Sequence, residues 1–198
     1  IFKLNSINIL LKNKEIKSIF LITFPEFKYL DRLEKLLFLL ECNNLFKFQE
    51  IIFSILLVDE KDNYQYFCHK YKVSNKLKKD LSFTAKNYIK FKENKDYLKK
   101  DLKKNVYILG KNNIKRLLGF IYCAESKFTT KLLKNIVEEI NKIDIPNFPF
   151  NGQYLMNLGL LDGKKIGYAL GMLEKEWIKK DFNLKTKEIK PIIDKVKK

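Results

Sequence analysis

At 198 residues, 46% of them hydrophobic, the chain can build one substantial core or two small ones, and its seven glycines and four prolines exclude a low-complexity polymer. Forty Lys and Arg against 23 Asp and Glu give a formal charge of +17, a field that attracts polyanions before any specific contact forms. Only Arg32 and Arg116 are arginines, and the wealth of Lys, Ile, Asn and Phe is what AT-rich coding produces, so part of that charge is compositional. No apolar run approaches the roughly 20 residues that span a bilayer, and the first segment lacks the apolar stretch and small-residue cleavage site of a signal peptide. The expectation is a cytoplasmic protein with no membrane partner. A chain beginning at Ile1 rather than Met is expected to be a fragment or a split-gene product.

In chain order, Leu30, Leu33, Leu36, Leu37 and Leu40 form a helical stripe after Pro25, which suits a helix start because its missing N–H is harmless there. Ile51, Ile52, Ile55 and Leu56 form another. Ser74 is a good N-cap for a helix carrying Leu77, Leu81, Thr84 and Tyr88 on one face. Further stripes are Leu98, Leu102 and Leu109; Ile114, Leu117, Leu118 and Ile121; and Phe128, Leu132, Ile136, Ile140 and Ile143. Period-2 alternation is absent, which predicts an all-α protein, an irregular multi-helix array with a small C-terminal helical tail. Breaks are expected at Asn43-Asn44, Asn94, Gly110 to Asn113, and Pro146 to Pro149.

The stretch from Ile145 to Phe182 is the most informative. It holds Gly152, Gly159, Gly163, Gly167 and Gly171, five of the seven glycines, so unusual dihedrals or close approaches are expected there. Ile166, Leu170, Leu173 and Trp177 follow as one helical stripe, with Trp177 as a core anchor. Gly163 sits just before that helix, and Lys164 and Lys165 occupy its first turn. Positive side chains oppose the helix dipole there, a cost that a phosphate bound to free N–H groups would reverse. Lys164, Lys175 and Lys179 form a lysine stripe away from the apolar face, and Gly163, Lys164, Lys165, Lys175 and Lys179 are one candidate RNA-binding set. The second is on the helix after Ser74, where Lys79, Lys86 and Lys90 share a face with Phe83, a pattern that can follow a phosphate backbone and stack a base.

Catalytic chemistry has little to stand on. His69 is the only histidine and no motif surrounds it with a nucleophile and carboxylate. Cys42, Cys68 and Cys123 are an odd, widely spaced set, expected to be free thiols. Asp59, Glu60 and Asp62, and Glu138-Glu139, form no Asp-x-Asp pair and are expected to be solvated or paired with lysines.

The terminal stretch resembles the C-terminal end of the bacterial tRNA nucleotidyltransferase and poly(A) polymerase family. The matching positions are Phe148-Pro149, Gly152, Leu155, Leu158-Gly159, Gly163, Ile166-Gly167, Leu170 and Trp177-Ile178. Tyr154 stands where the family usually has Asp, and Lys164 where it usually has Pro. Phe24-Pro25-Glu26, Leu30 to Leu36, Val73-Ser74-Asn75 and Tyr107 to Arg116 fall in the family's order upstream. The resemblance implies three regions: residues 1–20 as the end of a neck or linker, 20–145 as an RNA-binding helical body, and 146–198 as a tail with the Gly-rich corner and amphipathic helix. It implies tRNA or other RNA 3′ ends as partner, together with a catalytic head in the same or a separate chain. That head would supply the Mg²⁺ and CTP or ATP sites; no cofactor is expected in this chain, which should be inactive alone. Two alternatives are a free-standing helical nucleic-acid-binding module of helix-hairpin-helix type, read from Leu155 to Gly167, and an α-helical interaction scaffold.

Overall fold

The computed structural model describes residues 4–42 and 48–197, and these form twelve helices and no strand, an all-α irregular array. They divide into two compact units, Ile1–Ile143 and Asp144–Lys198.

The first unit holds α1 (Leu4–Lys12), α2 (Lys14–Thr23), α3 (Asp31–Cys42), α4 (Phe48–Leu57), α5 (Asn63–Lys70), α6 (Asn75–Glu93), α7 (Leu102–Leu109), α8 (Lys111–Ala124) and α9 (Thr130–Lys142). Every residue from Leu117 to Cys123 on α8 is buried. A helix buried on all sides must be surrounded by other helices, and α3, α4, α6, α7 and α9 all pack on α8. α4 is nearly as deep, with Ile51, Ile52, Ile55, Leu56 and Leu57 at 0–2% exposure.

A helix that ends inside the protein leaves its last carbonyls without water. Arg32 and Asn63 resolve this for α4. The Arg32 guanidinium donates to the Ile55 and Val58 carbonyls at 3.2 and 2.8 Å and lies 3.7 Å from the Tyr29 ring centroid. Asn63 Nδ2 donates to the Leu57 carbonyl at 3.0 Å and the Glu26 carbonyl at 2.9 Å. Glu26 itself is 4% exposed, and accepts from Lys70 Nζ at 2.8 Å and the Tyr71 hydroxyl at 3.2 Å. Burial pushes its carboxyl pKa upward, but the bonds from Lys70, the backbone and Tyr71 outweigh burial and hold it below the usual carboxylate value.

Several sequence expectations need correcting here. Pro25 does not start a helix: Pro25 and Glu26 form a turn, and α3 begins at Asp31. The break after α7 is Gly110 alone, at φ +82, because Lys111 to Asn113 already belong to α8. Asn43 and Asn44 lie outside the described residues. Asp59 is buried rather than solvated, accepting from the Tyr29 hydroxyl at 3.4 Å and from its neighbour's N–H, Lys61, at 2.9 Å.

The second unit holds α10 (Gly152–Asn157), α11 (Gly163–Lys179) and α12 (Thr186–Lys197) around Leu155, Leu160, Ala169, Leu173, Ile189, Ile193 and Val196. α12 carries an Ile189, Ile192, Ile193 and Val196 stripe that lysines and Pro191 interrupt, so its helical period is faint in the sequence. α10 and α11 both end in a Schellman motif. After α10, Leu160 N–H reaches the Leu155 carbonyl at 3.1 Å and Gly159 N–H reaches Met156 at 2.9 Å, with Gly159 at φ +82. After α11, Phe182 N–H reaches Trp177 at 2.8 Å and Asp181 N–H reaches Ile178 at 3.2 Å. The Phe182 and Trp177 rings then pack edge to face at 4.9 Å, and Phe148 packs on Trp177 at 5.4 Å. Trp177 is 4% exposed, a core residue as its place in the stripe predicts.

Of the five glycines in this stretch only Gly159 needs a positive φ, and a Cβ at Gly163, Gly167 or Gly171 would meet nothing within 4 Å. Gly159→Ala should therefore destabilise the second unit by about 1 kcal/mol, whereas Gly163→Ala should be neutral or slightly stabilising. Denaturant unfolding followed by Trp177 fluorescence reads both; equal losses would contradict this division. For the first unit, a carboxyl with a lowered folded pKa contributes stability that is complete above its ordinary 4.5 and is lost as pH falls through the lower folded value. Between about pH 5 and pH 3 the parent should lose stability more steeply than Glu26→Gln, which should cost about 1 to 3 kcal/mol at pH 7. Parallel pH profiles by thermal melting would disprove it.

Candidate nucleic-acid interface

α6 is a 19-residue helix whose first turn is capped by Ser74, with Oγ accepting from Leu77 N–H at 3.3 Å. Its inner face, Leu81, Thr84, Ala85, Tyr88 and Phe91, is buried. Its outer face carries Lys79, Phe83, Lys86 and Lys90, which the structure brings together along one open depression of about 670 Å³. Lys78 and Leu109 also line it. Neither was legible from α6 periodicity: Lys78 sits about 100° around the helix from Lys79, and Leu109 comes from the end of α7. Phe83 is half-buried against the main core, so it forms an apolar floor rather than a free-standing ring.

The electrostatics of this depression are one-sided. Lys78, Lys79, Lys86 and Lys90 are all exposed, and no carboxylate lines the groove. Among the described residues none of these four ammonium groups forms an ion pair; Lys90 Nζ instead sits 5.7 Å from the Tyr97 ring centroid. Asp80, the acidic residue nearest along the helix, is turned away to Arg116 at 3.2 Å. From Lys79 to Lys90 the helix rises about 16 Å, the axial span of roughly five phosphates of one stacked strand.

The α11 corner differs from expectation. The Asp162 carboxylate is the N-cap, accepting from Lys164 N–H at 2.8 Å and Lys165 N–H at 3.4 Å. The donors that Gly163 was expected to offer a phosphate are therefore held by an internal anion, which also offsets the dipole that Lys164 and Lys165 oppose. Lys165 Nζ is itself engaged, donating to the Lys197 carbonyl at 3.0 Å. Lys164, Lys175 and Lys179 are exposed on one face of α11, with Lys179 3.7 Å from Glu176. This set lies in the second unit and the α6 set in the first.

Among the described residues no three His, Cys, Asp or Glu side chains are grouped so as to hold a metal ion. His69 is exposed on α5. Glu60 pairs with Lys92 at 3.0 Å. Cys68 and Cys123 are buried free thiols, and burial pushes Cys123 up to about 12, far from a nucleophilic thiolate. The side chain of Cys42 lies outside the described residues. No helix among those described is long and apolar enough to cross a membrane.

No protein-family model, curated protein or solved structure matches this chain. The site is therefore defined by its own geometry: an arginine-free lysine groove with an aromatic floor.

The cap on α11 makes its own forecast. Asp162→Ala should lower the stability of the second unit by about 1 kcal/mol, whereas Asp162→Asn should be nearly neutral because the amide oxygen caps as well. Trp177-monitored unfolding distinguishes them; an equal loss in both would show that charge, not the hydrogen bonds, sets the effect.

Proposed function

We propose that this chain is the RNA-binding body and tail of a tRNA nucleotidyltransferase or poly(A) polymerase. In this role it holds tRNA while a catalytic head, in the same or a separate chain, adds nucleotides to the 3′ end without a template. The observation that carries the proposal is the α6 groove, where Lys79, Lys86 and Lys90 follow one helix face over Phe83, Lys78 lies beside them, and no carboxylate is among the lining residues. Both arginines are committed internally, Arg32 to the end of α4 and Arg116 to Asp80 and Asn113. Recognition thus falls to lysines, which act as point charges and read phosphate position rather than base edges. Such a surface suits a partner selected by shape, as a folded RNA is.

The resemblance of Ile145 to Phe182 to the family supports the same reading for the second unit. Its contribution rests on Lys164, Lys175 and Lys179, since Asp162 occupies the backbone donors at Gly163. That occupancy also weighs against a helix-hairpin-helix module, which needs those donors for phosphate. Mg²⁺ and CTP or ATP belong to the head in this scheme, and the cytoplasm is the compartment it implies.

Lys79→Ala/Lys86→Ala/Lys90→Ala should reduce the log–log salt slope of tRNA binding by about 2 to 3, at 0.7 to 0.9 per lost phosphate contact, with an unchanged melting temperature because all three side chains are exposed. A parental slope in the triple variant would remove the groove from RNA binding, and equal competition by any polyanion would return the charge to composition alone. Incubated with Mg²⁺, labelled CTP or ATP and a tRNA lacking its 3′ end, the 198-residue chain should add nothing; template-free extension would overturn the assigned role.

A further inference from the structure

The first unit contains a second, more enclosed cavity, of about 230 Å³, between the C-terminal part of α6, the 94–101 connection and α9. The connection is folded tightly on itself, with Tyr97 N–H bonded to the Asn94 carbonyl and Lys99 and Lys100 N–H both bonded to the Asp96 carbonyl. These turns place Leu98 inward, at 1% exposure. The walls are apolar: Phe91, Leu98, Phe128, Leu132 and Ile136. Phe91 and Phe128 meet edge to face at 6.1 Å, a fixed aromatic corner.

The mouth carries Lys95, Lys99 and Lys127 against Asp96 and Glu125. Glu125 is already matched. It accepts from the Tyr88 hydroxyl at 2.7 Å and from Lys95 at 3.2 Å, and Lys92 lies 3.5 Å away. Lys95 in turn stands 4.4 Å from the Phe91 ring centroid. With that cluster balanced, Asp96 is the one further carboxylate among the lining residues against the exposed Lys99 and Lys127, so the opening carries net positive charge over an apolar interior. No residue of this cavity lines the α6 groove.

We propose that this cavity binds a small amphipathic monoanion, an alkyl or aryl carboxylate, with its chain against Phe91, Leu98 and Phe128 and its carboxylate at Lys99 and Lys127. A volume of about 230 Å³ corresponds to about eight water-sized groups, so the ligand has an apolar part of that order. The proposal is independent of RNA binding.

Octanoate is the probe, titrated into the full chain while the methyl resonances of Leu98, Leu132 and Ile136 are followed by NMR. Saturable shifts of these methyls are expected, with octanol about tenfold weaker and octylammonium weaker still, since only the carboxylate complements the lysines. Lys99→Glu/Lys127→Glu, a surface change, should weaken octanoate about tenfold while leaving octanol unaltered. Leu132→Phe should fill the cavity and abolish the shifts. Equal affinity for octanoate and octanol, absence of saturation, or parental octanoate binding by Leu132→Phe would each overturn the proposal.

Discussion

The first unit depends on enclosing α8. Seven consecutive residues, Leu117 to Cys123, have no outward face, and each large apolar side chain among them gains about 1.5 to 3 kcal/mol only if covered. Five helices are therefore held around α8. This excludes a regular bundle, where every helix keeps a solvated face, and makes α4 a second interior element whose last carbonyls cannot reach water. Arg32 and Asn63 are the response to that problem. The chain's two arginines, both half-buried, are thus used where planar, multidonor geometry links elements of the protein to one another.

That internal use shapes the exterior. Outside the core the cationic surface is made of lysine, whose hydrated ammonium neutralises phosphates without reading them. On α6 the burial of Leu81, Thr84, Tyr88 and Phe91 fixes the helix rotation, so Lys79, Lys86 and Lys90 have only one direction to face. The same anchoring tilts Phe83 partly into the core. An outward aromatic thereby becomes the floor of a groove, apolar beneath and cationic above.

In the second unit local backbone chemistry has the larger share. Two Schellman motifs end successive helices, and in both the residue after the left-handed position returns to pack on the residue three before the cap: Leu160 on Leu155 and Phe182 on Trp177. Gly159 meets the left-handed requirement without a side chain, whereas Asp181 meets it at φ +54. At the other end of α11, Asp162 holds the first N–H groups. An internal carboxylate at hydrogen-bond distance outcompetes a diffusing phosphate unless the lysines compensate, so charge and not backbone donors decides what that corner can bind.

The sequence by itself determined the helical class, the Ser74 cap, the apolar faces of α6 and α11, the core place of Trp177 and the coincidence of Lys79, Phe83, Lys86 and Lys90 on one face. All of these are short-range consequences of a 3.6-residue period and of side chains bonding their own backbone. The period could not tell which glycine is conformationally required, because it does not show that Gly159 takes the left-handed position of a Schellman turn while Gly163 has no positive φ. Asp162 is a local cap of the same kind as Ser74, but the period could not show that Asp59 is buried or that Leu109 completes the groove. Those depend on residues far apart in sequence sharing one space, as Arg32 does with Ile55 and Val58, and Leu98 with Phe128. Only the tertiary structure decides them, because burial and electrostatic pairing are set by distance in space rather than by spacing along a helix.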